Sequence, residues 1–265
     1  MYHYAISLII DVLYNLYSYI KQDFRYINID DKRAYEILYN IFYYSVTGST
    51  FTTITPLKDA RLTGLVDVTK KFLKIIFELY DRYVASLTNI ASGIYDVALS
   101  YFKSNKKYIL FCDGMSIIEA FYIAYKARSI NFIGAVINPG GVTETYKFII
   151  RPHKYLAGSS RLEEIISQIA RETNAKYLIF RDYDDTIHRI ENSEGLDPQV
   201  IIDEIYNITS RLEAKLDLLR KEGATIMLIS DHGYDAIPLI SGKFKLQHKW
   251  DQHALSIIAP ILILN

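Results

Sequence analysis

The stretch KSNKKYILFCDGMS, residues 103–116, is where the chain changes period. KSNKK reads as a charged turn, YILFC (108–112) as a strand apolar on both faces, and Asp113–Gly114 as the turn out of it. Similar runs follow at FIGAVI (132–137), YLIF (177–180), TIMLI (225–229) and ILIL (261–264). Helical patterns fall between them, at about 115–128, 160–173 and 198–222. Continuous apolar strands separated by helices predict an α/β fold, a mostly parallel sheet sandwiched by helices. The last run has no polar cluster behind it and reads as edge-like.

Upstream of the turn the pattern is helical. Met1 to Ile20 is apolar but interrupted by His3, Asp11 and Asn15, with Ile6, Ile9, Ile10, Leu13 and Leu16 or Tyr17 on one stripe of an amphipathic helix. It has no basic leader and does not read as a signal peptide. A second helix is expected over about 33–45, then a Thr-rich stretch ending at Pro56, then two helices over 63–104 meeting near Ser92–Gly93. The chain therefore divides near residue 106, into a helical region (1–106) and an α/β domain (107–265). The helical region could be a separate domain, a cap or a dimerisation surface.

Half of the 265 residues are hydrophobic and 23% are charged, which excludes a disordered chain. Thirty basic and thirty acidic residues balance, so a broad basic nucleic-acid face is not expected, though a local basic groove is compatible. A single cysteine, Cys112, excludes an intramolecular disulfide framework and a CxxC zinc ribbon, and fits a cytoplasmic protein. No run reaches the roughly 18 uninterrupted apolar residues of a membrane span. Abundant Ile and Tyr with few Met and Cys resemble the usage of thermophilic archaea.

In parallel sheets, sites form beyond the carboxyl ends of the strands. The first strand is followed by Asp113-Gly114-Met115-Ser116, the second by Asn138-Pro139-Gly140-Gly141-Val142-Thr143-Glu144-Thr145. The third leads into Arg181-Asp182-Tyr183-Asp184-Asp185-Thr186-Ile187-His188, the fourth into Ser230-Asp231-His232-Gly233. His248 and His253 flank Trp250 just before the final run. Each cluster alone also reads as a helix cap or a turn. Together they place carboxylates, imidazoles and hydroxyls at one end of one sheet. That is the donor set two neighbouring divalent ions require, Zn²⁺ or Mn²⁺.

The order of these clusters resembles the alkaline phosphatase superfamily of metalloenzymes, in particular its PglZ-like and nucleotide pyrophosphatase/phosphodiesterase branches, over about residues 107–265. That resemblance implies an alkaline phosphatase-like core and two-metal phosphoryl transfer. It implies one ion on Asp113, Asp231, His232 and the nucleophile Thr143, and another on Asp184, His188 and a late His. His253 is favoured for the late position, with His248 kept beside it. Thr145 and Ser116 are alternatives to Thr143. The family usually has Gly just before the His of its Asp-xxx-His pair, where this chain has Ile187.

Under this resemblance Gly140 and Gly141 cradle phosphate oxygens and Arg151, with His153 and Lys154, adds positive charge. Tyr146, Tyr183 and Tyr234 could stack on a base. The expected partner is a phosphate ester, a nucleotide or nucleic acid included, with a diester preferred over a monoester. A second expectation is a degenerate PglZ-like interaction module in a phage-defence complex, docking a protein through its helical half. No membrane partner is expected.

Overall fold

The computed structural model describes residues 2–53, 60–150, 161–248 and 255–265. The helical part comprises α1 (Tyr2–Ile27), α2 (Asp31–Thr47), α3 (Ala60–Tyr83), a 3-10 turn (Val84–Ser86) and α4 (Leu87–Tyr101). Then come β1 (Lys107–Cys112), α5 (Ile117–Lys126), β2 (Ile130–Ile137), α6 (Thr143–Ile150) and α7 (Leu162–Glu172). The rest is β3 (Lys176–Phe180), α8 (Asp182–Glu191), α9 (Pro198–Lys221), β4 (Thr225–Ile229), β5 (Asp235–Pro238), β6 (Phe244–Gln247) and β7 (Ile258–Leu264).

The apolar runs form one five-stranded sheet in the order β2-β7-β4-β1-β3. β1 is parallel to β3 and β4, while β7 is antiparallel to both β4 and β2. The carboxyl ends of β1, β2, β3 and β4 therefore share one edge, and β7 starts from that edge. The last strand is interior rather than edge-like. Every residue of β7 is buried, because it is flanked by strands on both sides and helices above and below. α5 and α9 touch each other and lie on β7 and β4, whereas α7 lies on β1 and β3. The crossover through α5 and the one through α7 run in opposite directions across the sheet. Right-handed connections then place them on opposite faces.

The change near residue 106 is one of secondary structure and not of core. The α1 stripe buries Ile6, Ile9, Leu13, Leu16, Ile20 and Phe24, and it packs on β2, α4 and α5. One hydrophobic cluster runs from Ala5 to Leu264. The helix break falls at Val84–Ser86 instead of Ser92–Gly93. Gly93 lies inside α4, where a Cβ would come within 2.2 Å of the Ile6 side chain, so it is a notch that lets α1 approach. No helix among the described residues is long and apolar enough to cross a membrane.

A shared core makes a testable demand. Ile94 of α4 is fully buried, and a Cβ on Gly134 of β2 would lie 3.4 Å from its Cγ2. Ile94→Ala is expected to cost about 2–5 kcal/mol and to shift a single unfolding transition followed by circular dichroism. Two transitions, with only the first one moved, would show that the helical half folds independently.

Candidate metal centre

The site stands at the shared strand edge, and each strand delivers its part by a local device. Asp113 follows β1 directly, and its N–H donates to Phe180 O at 3.0 Å, locking that turn to the end of β3. Asp231 and His232 follow β4 and are buried. Buried Asn138, after β2, donates through Nδ2 to Asp231 O (2.8 Å) and Val142 O (2.9 Å), tying the second and fourth loops together. Thr143 opens α6, and its hydroxyl donates to Asp231 Oδ2 at 2.7 Å. Asp184 and His188 lie one turn apart on α8. Ile187, where a glycine was expected, is fully buried and faces Gly114, so it packs under the turn while its neighbour His188 reaches the cleft.

His248 arrives by a route the strand pattern did not show, the β5–β6 hairpin. Phe244 anchors that hairpin against Phe51 and Tyr43, with ring centroids 4.7 and 6.0 Å away. Asp235 clamps its base by accepting from Leu255 N at 2.8 Å. The His248 ring then stacks on His232 at 4.9 Å and meets His188 edge-on at 4.6 Å. His253 and Arg151, with His153 and Lys154, lie outside the described residues.

Six of the expected ligands thus converge: Asp113, Asp184, His188, Asp231, His232 and His248. Potential ligand atoms of Asp113, Asp231 and His232 lie within 4.8 Å of one another, as do those of Asp184, His232 and His248, and of His188, Glu191 and His248. The α8 surface was read only as far as His188. Glu191 was missed, although Asp184, His188 and Glu191 fall at i, i+4 and i+7 on one helical face.

The donor set suits a cation. His232 Nδ1 is 2.9 Å from Gly233 O. A carbonyl only accepts, so Nδ1 carries a hydrogen and Nε2 is the nitrogen that faces the carboxylates. Nε2 lies 3.6 Å from Asp231 Oδ2 and 3.8 Å from Asp113 Oδ1. These separations are too long for hydrogen bonds and close to the edge of a coordination polyhedron with bonds of about 2.0–2.2 Å. Asp113 Oδ1 and His248 Nδ1 are buried without hydrogen-bond partners. Burial, then the charges of Asp231 and Asp184, pushes the Asp113 carboxyl up to about 8. Burial, then His232, lowers His248.

The alternatives to Thr143 are engaged elsewhere. Thr145 Oγ1 donates to Asn138 Oδ1 at 2.5 Å, inside its own turn. Ser116 is fully buried, donates to Glu119 Oε2 at 2.5 Å and caps α5. Gly140 and Gly141 lie in that same turn. Gly141 N–H donates to Asn138 O, and a Cβ on Gly140 would lie 2.4 Å from Thr145. The three tyrosines read as a possible base clamp are all buried. Tyr183 donates to Thr209, Tyr234 donates to Glu119, and Tyr146 meets Tyr95. They cannot stack on a ligand, because their rings complete the core beneath the site.

Thr143, Asp184, His188, His232 and His248 line an open cleft of about 410 Å³, together with Lys147 and Arg161 and the carboxylates of Glu144 and Glu163. No family model matches the chain, and no curated protein matches it.

Proposed function

We propose that the chain is a two-metal phosphoryl-transfer hydrolase, a phosphodiesterase or phosphatase with Thr143 as its nucleophile. The observation that carries this reading is the Thr143 hydroxyl, hydrogen-bonded at 2.7 Å to a buried carboxylate that belongs to the Asp113–Asp231–His232 group. Those three residues would hold one ion, and Asp184, His188 and His248 the other. When bound, such ions supply Lewis-acid charge that lowers the pKa of a hydroxyl and neutralises charge on the oxygens of the transferring group.

The chain's own residues do the rest. Asp231 Oδ2 fixes the direction of the Thr143 hydroxyl, and Asn138 fixes Asp231 through its backbone. The first amides of α6 have no partners inside the helix and point toward the cleft end, where phosphate oxygens favour them. Lys147 and Arg161 bring positive charge to the cleft lining, Lys147 from the same helix as Thr143 and paired there with Glu144. The order of events is attack of Thr143 Oγ1 on phosphorus with loss of its proton to water, departure of the ester oxygen opposite, which takes up a proton from water, and attack of water on the phosphothreonine, which releases phosphate and returns a proton to Thr143 Oγ1.

Elemental analysis tests the premise. Wild-type protein loaded with Zn²⁺ or Mn²⁺ and desalted is expected to retain about two equivalents. An Asp231→Ala/His232→Ala variant is expected to lose at least one of them, because both buried donors of the first group are gone. No retained metal in the wild type would overturn the enzymatic reading and leave the interaction module standing.

A further inference from the structure

We propose that Glu119 is a positioning residue for the cation of the Asp113–Asp231–His232 group: through the Tyr234 hydroxyl it holds the peptide whose carbonyl aims the His232 ring; this rests on the two-metal reading above. Glu119 is fully buried at the third position of α5 and accepts four hydrogen bonds. Its Oε2 accepts from Ser116 N at 2.9 Å and from Ser116 Oγ at 2.5 Å. Its Oε1 accepts from Tyr234 OH at 2.8 Å and from Tyr35 OH of α2 at 2.7 Å.

The Ser116 bonds make an ordinary helix cap. The two phenols are no part of it. A carboxyl group sunk in an apolar core is costly beside a well-packed apolar side chain, and its use lies in fixing a geometry that apolar contacts leave loose. The Tyr234 arm reaches the site in two steps. Tyr234 N shares one planar peptide with Gly233 O. That oxygen accepts from His232 Nδ1 at 2.9 Å, which leaves Nε2 facing Asp231 Oδ2 and Asp113 Oδ1. Gly233 itself sits in a narrow slot. Its N–H donates to Ser256 O at 3.0 Å, and a Cβ on it would lie 2.9 Å from Leu255 O and 3.1 Å from Ser116 Cβ. Glu119 holds both sides of the Gly233–Ser116 contact, Ser116 directly and Gly233 through Tyr234.

The other arm separates this role from plain core stiffening. Tyr35 belongs to α2, which carries none of the proposed ligands. Glu119 keeps its place without the Tyr35 hydroxyl, because Ser116 grips the other oxygen. Tyr39, also on α2, stacks on the Tyr234 ring with centroids 6.5 Å apart and hydrogen-bonds its hydroxyl.

Calorimetric titration of metal-free full-length protein with Zn²⁺ tests the assignment. Glu119→Ala would orphan four donors and is not expected to fold, so the variants are phenylalanines that each remove one hydroxyl. Wild type is expected to take two equivalents. Tyr234→Phe is expected to bind one of them about tenfold or more weakly and the other as wild type does, the loss typical when the partner that orients a ligating imidazole is disturbed. Tyr35→Phe and Tyr39→Phe are expected to bind both within about twofold of wild type. Each of the three is expected to lower the metal-free unfolding temperature by at least about 2–4 °C, since each loses a buried hydrogen bond. Two unchanged equivalents in Tyr234→Phe overturn the proposal. An equal loss of affinity in Tyr35→Phe or Tyr39→Phe also overturns it, since the tyrosines would then only stiffen the core. If wild type takes no cation, the two-metal reading itself fails and the role of Glu119 falls with it.

Discussion

Thr143→Ala is expected to lower turnover of an aryl phosphate ester by about 10³-fold or more while leaving both cations in place. Removing a nucleophile removes the covalent route entirely, and losses of roughly 10⁴–10⁶ are typical when a residue of that kind is deleted. The structural cost is small by comparison. The hydroxyl makes one hydrogen bond, to Asp231 Oδ2, so about 1–2 kcal/mol of stability is at stake. Thr143→Ser keeps an oxygen at the same place and is expected to retain measurable activity. The neighbours offer no substitute, because Thr145 is bound within its turn and Ser116 within the α5 cap. Wild-type turnover in Thr143→Ala would therefore remove the nucleophile assignment altogether. Assaying a monoester beside a diester in the same series separates the phosphatase and phosphodiesterase options. The buried tyrosines no longer favour the diester.

The parts of this architecture that repeat a local signal were readable from residues alone. Strands buried on both faces announce themselves as unbroken apolar runs, and all five of the runs picked out became strands of the main sheet. The polar residue just past such a run has to lie at the strand edge, which is why Asp113, Asp184, Asp231 and His232 could be named. Strand order and direction leave no such local trace. β7 looks like β4 in sequence, yet it runs antiparallel through the middle of the sheet. The β5–β6 hairpin is short, mixed in polarity and anchored by Phe244 on aromatic residues almost 200 positions upstream, so its pairing is a tertiary decision. His248 owes its place to that hairpin. The tyrosines misled for a related reason: residues adjacent in sequence to a site alternate between facing it and facing the core. Tyr183 and Tyr234 face the core beside Asp184 and His232, which face the cleft. Glu191 was legible in principle through its helical spacing from Asp184 and His188, once the segment after β3 is seen to be a helix.

The second large effect expected is on stability. Chelating the cations should lower the unfolding temperature by about 10–20 °C at pH 8 and by much less near pH 5. The size follows from mass action. Each ion present at about 100 times its Kd adds about 2.7 kcal/mol. Two ions add about 5 kcal/mol, and a domain of this size shifts by about 2–4 °C per kcal/mol. The pH dependence follows from Asp113, whose carboxyl is pushed up to about 8 in the metal-free fold. Its unfolded value is about 3.9. A carboxyl raised on folding contributes stability that is complete below its unfolded pKa. That contribution is lost as pH climbs through the folded value. The metal-free protein therefore weakens between about pH 4 and pH 8. Cation binding moves the other way, because Asp113 must shed its proton to ligate, so the loaded protein gains as pH rises over the same window. The gap between the two forms opens with pH from both sides. Asp113→Asn separates the two contributions. It removes the charge that burial and Asp231 oppose, so the metal-free variant should unfold at a higher temperature than metal-free wild type at pH 8. It also removes a ligand, so added cations should stabilise it less. Equal unfolding temperatures for chelated and loaded wild type at pH 8 would contradict cation binding at this centre. A metal-free Asp113→Asn less stable than wild type at pH 8 would mean that Asp113 is held by a favourable contact, and not poised for an ion.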